Sequence, residues 1–152
     1  MAKLSEIGES NLIRLIDRRF RGLGVPPVAG IGEDAAIVRV PGSERALALS
    51  TDLLLEGIHF RRSTMPPRFL GWKALAANLS DLAAVGARPD SYLLALGLPG
   101  DLPSAFLERF LDGIRELARR YRIRLLGGDI CENRRVVIGI TIIGSVKGNL
   151  YL

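Results

Sequence analysis

Two runs, SYLLALGL at residues 91–98 and VVIGITIIGSV at residues 136–146, constrain the fold of this chain more than any other feature. Both are apolar at consecutive positions rather than at alternate ones. That pattern belongs to a strand with both faces covered, not to one with a wet face. Neither run approaches the ~20 apolar residues that a membrane-spanning helix needs. A sheet built on them requires helices on one face and further cover on the other.

The helices are legible. Between Pro66 and Gly86 the sequence predicts one, with Pro66 and Pro67 in its first turn and Trp72, Leu75, Leu79 and Leu82 on one face. A second begins after the cap residue Asp101, with Pro103 in its first turn. Its core stripe is Leu107, Phe110, Leu111, Ile114, Leu117, Ala118 and Tyr121, and its other face is charged. Residues 10–20, SNLIRLIDRRF, predict a short amphipathic helix through Leu12, Ile13, Ile16 and Phe20. The Gly- and Pro-rich stretch GLGVPPVAGIGEDAA is loop. AAIVRV and ALALST, separated by PGSE, are two strands, and LLLEGIHF is a third strand or an extended segment. RIRLLGG is a strand ending in a glycine pair.

The resulting order lacks regular strand–helix alternation and a dinucleotide fingerprint, which disfavours a doubly wound fold. The expected fold is α+β: a mixed, largely antiparallel sheet covered on one face by two helices, in a single domain spanning residues 1–152. One cysteine, Cys131, excludes an internal disulfide and is expected to be a small packed residue. The N-terminus has no signal-peptide core, so a cytoplasmic location is expected. The net charge of +5 is carried by scattered arginines with few aromatics among them, a poor match for nucleic-acid binding.

One acid stands out. Between Lys73 and Arg88 the only charged residue is Asp81, nearly opposite the Leu75–Leu79–Leu82 face and among Ala74, Ala77, Asn78 and Ala84. Small neutral neighbours allow close approach, and a carboxylate so placed needs compensation. Either an arginine or a cation can supply it. Asp34, Asp52 and Asp129 also sit at loops or element ends, with Ser50 and Thr51 beside Asp52. Oxygen donors of this kind suit Mg²⁺. Taken singly, each acid is more often a turn or cap residue than a ligand. One His and one Cys do not build a usual zinc site. LLGGD, residues 125–129, allows backbone N–H groups to approach an anion, and it is also a common turn. There is no P-loop and no kinase Gly-rich loop.

Together and in this order, GEDAA, STDLLLEGIHF, GWKALAANLSDLAAVGARP and LLGGD resemble the N-terminal half of the thiamine-monophosphate kinase family, within the aminoimidazole-ribonucleotide synthetase-like superfamily. The resemblance runs from Ile7 to Val146. It implies an ATP- and Mg²⁺-binding N-terminal domain, with the family's C-terminal domain outside this chain. It also implies phosphoryl transfer from ATP to thiamine monophosphate, and a homodimer joined through its sheets. Residue by residue, it implies metal ligation by Asp34, Ser50, Thr51, Asp52, Asp81 and Asp129, nucleotide contact by Gly128 and Asp129, and substrate contact by His59. No general base is implied, because the acceptor is already an ionised phosphate. Glu33 stands where the family usually has Asp, GGDICEN replaces the usual GGDT continuation, and an arginine often found after the last strand is replaced near Asn149. From the residues alone, His59 reads rather as a packed residue with one hydrogen bond. Another superfamily ATPase, of hydrogenase-maturation or purine-biosynthesis type, and a non-catalytic dimerisation domain are the alternative readings. The isolated chain is expected to lack kinase activity.

Overall fold

The computed structural model describes residues 3–24 and 26–147. After a 3₁₀ turn at Leu4–Glu6 the elements are α1 (Glu9–Phe20), β1 (Ala36–Arg39), β2 (Arg45–Leu55), α2 (Pro67–Ala84), β3 (Arg88–Leu98), α3 (Ser104–Tyr121), β4 (Arg124–Glu132) and β5 (Val137–Lys147). No described helix is long and apolar enough to cross a membrane. The strands form one five-stranded sheet in the order β1-β2-β5-β3-β4. Only the β3–β4 pair is parallel. The two runs that constrained the fold become neighbours, with β5 central and β3 beside it.

Alternation along β5 explains which face is the core. Ile138, Ile140 and Ile142 are buried with Ala46 and Ala48 of β2 and with Tyr92, Leu94 and Leu96 of β3. Covering them are Leu70, Ala74, Leu75, Leu79 and Leu82 of α2, and Phe110, Ile114, Leu117 and Ala118 of α3. α2 lies over β2 and β5, and α3 packs along α2. The two helices approach closely at a glycine pair. A Cβ on Gly71 would stand 2.0 Å from the Phe110 carbonyl oxygen, and one on Gly113 would stand 1.9 Å from that of Arg68. Backbone contact of this kind admits no side chain.

Among the described residues no helix covers the opposite face. Val38, Leu47, Leu53 and Leu93 point from it and are exposed among the described residues.

Five expectations are corrected. ALALST and the following TDLLL form one continuous strand, β2, and GIHF is a turn rather than strand. The glycine pair does not end β4 but lies inside it, after a bulge at Leu126. Gly128 is there because a Cβ would stand 1.7 Å from the Leu94 carbonyl oxygen. Trp72, Leu111 and Tyr121 are exposed rather than core. The crossing at Gly71 and Gly113 turns Trp72 and Tyr121 outward to line a cleft between the two helices. α3 begins at Ser104 with Pro103 as its N-cap residue, so Asp101 does not cap it and Pro103 precedes the first turn. Cys131 is exposed on the edge strand, not packed.

Candidate metal and phosphate site

β2 passes beneath α2, so its alternate residues Ser50 and Asp52 point to the helix-covered face. Their neighbours across the ladder are Ile142 and Ile140, both buried on that face. Asp81 comes down from the last turns of α2. The Ser50 hydroxyl donates to Asp81 Oδ2 at 2.5 Å. Burial pushes the Asp52 carboxyl above its ordinary value, and the negative charge of Asp81 pushes it further in the same direction; His59 pulls the other way. Among the described residues neither Asp52 nor Asp81 makes an ion pair, so no arginine compensates Asp81. One turn earlier on α2, Asn78 is fully buried. Its Nδ2 donates to the Ala74 carbonyl and its Oδ1 has no partner among the described residues.

The remaining residues of the expected set do not join this group. Thr51 points to the opposite face, where its hydroxyl meets Thr141 Oγ1 at 3.0 Å and the Ile140 carbonyl at 3.2 Å. Asp129 shares the row of Leu53, Gly139 and Ala95 on that same open face, three strands from β2. At about 4.8 Å per strand this is roughly 14 Å. Asp34 is exposed in the loop before β1, lining a cleft of about 670 Å³ with Glu33, Ala84, Val85 and Gly86 at the end of α2. No cluster of three or more His, Cys, Asp or Glu side chains poised for a metal is found among the described residues. The local donor set is two carboxylates and a hydroxyl. All are hard oxygens, which fits Mg²⁺ held by one or two carboxylates with water and phosphate completing its shell.

His59 sits in the turn that closes β2. Its Nδ1 accepts the Leu55 N–H at 2.9 Å, so the neutral ring carries its proton on Nε2 and presents it outward. Lys73 Nζ donates to the His59 carbonyl at 3.2 Å, tying the turn to α2.

A feature that sequence reasoning missed lies between α3 and β4. A groove of about 880 Å³ has Tyr92, Leu94, Ile114 and Leu125 as an apolar floor, with Arg115, Arg119, Arg122 and Arg124 among its lining residues. Arg122 closes α3 in the left-handed conformation, φ 56°, normally glycine's place. The signal was present in the run of arginines at the end of α3, which reads as an ordinary solvated face until β4 is seen beside it. The departure near Asn149 lies outside the described residues.

Residues 32–146 match the family model of the AIR synthase related protein, N-terminal domain. The chain belongs to that family. Over 146 residues it is 40% identical to thiamine-monophosphate kinase of Synechococcus elongatus, covering 96% of this chain and 42% of the relative. To the Escherichia coli K12 thiamine-monophosphate kinase it is 44% identical over 122 residues, 80% of this chain and 37% of the relative. Among solved structures, "AaThiL complexed with AMPPCP and TMP" superposes with a TM-score of 0.87 at 33% identity, over 97% of this chain and 45% of that one. The five-stranded α+β domain with helices on one face is thus the fold of this family's N-terminal domain. The chain spans about two fifths of the length of the curated relatives it matches.

Proposed function

We propose that this chain is the ATP- and metal-binding half of an enzyme that phosphorylates thiamine monophosphate to thiamine diphosphate. The observation that carries the reading is the Asp52–Asp81 pair. The Asp52 carboxylate on β2 feels the charge of Asp81 on α2, Ser50 donates to Asp81, and among the described residues neither acid makes an ion pair. Like charges so placed are retained where a cation comes to them. The similarity to thiamine-monophosphate kinases over nearly the whole chain supplies the substrates.

In this reading Asp52, Asp81 and Ser50 hold Mg²⁺, and Asp34, Thr51 and Asp129 serve further ions or the nucleotide from outside that group. When bound, Mg²⁺ neutralises the charge of two phosphorylated substrates that repel each other. The chain's own residues do the positioning. Gly128 and Asp129 meet the nucleotide, and Gly127, where a Cβ would meet nothing within 4 Å, leaves the backbone of β4 open beside them. The apolar floor of the α3–β4 groove is suited to a purine, and its arginines to phosphate. His59 offers the Nε2 proton to the thiamine phosphate. The uncovered sheet face pairs with that of a second chain, and the protein works in the cytoplasm.

Titration calorimetry with AMPPCP tests the nucleotide half of the reading. Binding is expected in Mg²⁺, and is expected to be lost in EDTA and in Asp52→Asn. Equal affinity with and without the metal overturns it. Turnover of thiamine monophosphate by a protein that also carries the second half found in the relatives tests the substrate. ATP hydrolysis without thiamine diphosphate formation would point instead to another ATPase of the superfamily.

A further inference from the structure

The turn after β2 and the turn between β4 and β5 meet at one end of the sheet, away from the Asp52–Asp81 pair. They enclose a pocket of about 720 Å³ lined by Glu56, Gly57, Arg61, Arg62, Ser63, Arg134 and Arg135. Four guanidiniums share it with a single carboxylate.

That carboxylate is already committed. Glu56 Oε1 accepts from Arg62 Nε at 2.5 Å, and Oε2 accepts the Val136 N–H at 2.9 Å. Burial opposes ionisation of Glu56, yet the Arg62 hydrogen bond, the Val136 N–H and the charges of Arg62 and Arg135 together hold its carboxyl below the ordinary range. Glu56 therefore organises one arginine and the start of β5. Among the described residues, Arg61, Arg134 and Arg135 make no ion pair.

The scaffold around them is built rather than loose. Asn133 N–H donates to the Leu98 carbonyl, and Asn133 Nδ2 donates to the Arg135 carbonyl at 2.8 Å, fixing the β4–β5 turn. Gly57, at φ +88°, lets the Arg135 guanidinium lie against the opposing turn; a Cβ there would stand 3.0 Å from Arg135 Nη1. Both turns thus bring guanidiniums together although like charges repel.

We propose that this pocket is a phosphoryl-anion site formed by Arg61, Arg134 and Arg135, with Arg62 held in place by Glu56. The planar guanidinium fork pairs two oxygens of a phosphate at once. Ser63 adds a hydroxyl donor. The lining contains no apolar side chain to anchor a peptide and no aromatic ring to stack a base, so the ligand is a free or terminal phosphate group, such as inorganic diphosphate. The site does not depend on the kinase reading, because it uses none of the residues assigned to Mg²⁺ or ATP.

The test uses inorganic diphosphate in EDTA at low ionic strength, where phosphate bound through a metal is excluded. Wild-type chain is compared with Arg61→Gln/Arg134→Gln, and with Arg18→Gln/Arg19→Gln on α1, which removes the same charge elsewhere. The expected result is at least a tenfold loss of affinity in the first variant and less than a twofold change in the second. Amide resonances of Gly57, Ser63, Arg134 and Arg135 should shift on titrating the wild type, which keeps the test valid if a variant folds poorly. A short thymidylate oligonucleotide is the second probe. Weaker binding than diphosphate assigns a free phosphate, and tighter binding that is lost in Arg61→Gln/Arg134→Gln assigns a phosphodiester to the same pocket. Equal losses in the two variants, or resonance shifts confined to Gly127–Asp129 and the α3 arginines, overturn the proposal.

Discussion

Asp52 and Glu56 stand four positions apart on one strand segment, and their environments push them in opposite directions. For Asp52, burial and the facing Asp81 raise the folded-state pKa. The folded chain therefore takes up this proton before the unfolded chain does. The penalty is fully present above the folded pKa and disappears below the ordinary value of 3.8. For Glu56, whose folded-state pKa is lowered against the resistance of burial, stability is present above the ordinary 4.5 and is lost as the pH falls through the folded value. Asp52→Asn is therefore expected to melt higher than wild type at pH 7 in EDTA. The gain is expected to be small, because Asp52 is only partly buried and solvent screens its charge. The gap should narrow as the wild-type carboxylate takes up its proton and should close below pH 3.8. Millimolar Mg²⁺ should raise the wild-type midpoint and leave Asp52→Asn nearly unmoved. Melting curves in which Mg²⁺ shifts both proteins alike would remove Asp52 from the metal site.

Elements were legible where one periodicity acted alone. The Leu75–Leu79–Leu82 and Phe110–Ile114–Leu117 stripes predicted α2 and α3, and both enter the core. Trp72 and Tyr121 fit the same periodicity yet stay exposed, because a periodicity reports a face and not how far a neighbouring helix covers it. What decides the coverage is the approach at Gly71 and Gly113, and a glycine in a helix looks like a weakness until its partner is known. The candidate site divides in the same way. Asp81, alone among small residues, and Asp52, beside Ser50, were found from sequence and are brought together. The separation of Thr51 and Asp129 from them follows from strand parity and strand order, and the latter depends on long-range pairing that no local pattern encodes. The helix crossing yields its own prediction. Gly71→Ala or Gly113→Ala places a methyl within 2.0 Å of backbone oxygen, which side-chain rotation cannot relieve. A loss of about 3 kcal/mol is expected, at the upper end of the usual range for overpacking. Ser80→Ala, on the exposed side of α2, should change stability by less than about 0.5 kcal/mol. Urea unfolding gives both numbers, and a Gly113→Ala midpoint equal to wild type would mean that the helices do not touch there.

At the scale of the molecule the sheet is asymmetric. One face is closed by two helices, and the other presents Leu47 at 38% exposure and Leu53 at 55% on β2 and Leu93 at 39% on β3, with β5 between them. Each side chain is flanked by small or polar residues, Thr51, Gly139, Thr141 and Ala95, so the surface is apolar without bulk and suits another flat sheet. Contiguous apolar area of this kind, with Asp129 at its β4 edge, mostly marks an interface. A homodimer through this face is the expected state of the isolated chain at micromolar concentration. Leu53→Glu/Leu93→Glu should convert it to monomer, because each new carboxylate would be buried without a partner at the interface. The same substitutions should leave the fold intact, since neither side chain enters the helix-covered core of Ile138, Ile140 and Ile142. Sedimentation velocity and far-UV circular dichroism separate the two effects. A wild-type chain that sediments as monomer across the micromolar range would leave the face without the partner proposed for it. A Leu53→Glu/Leu93→Glu chain that remains dimeric would move the contact elsewhere, with the edge of β4 next in line, because among the described residues its outer backbone groups have no strand to pair with.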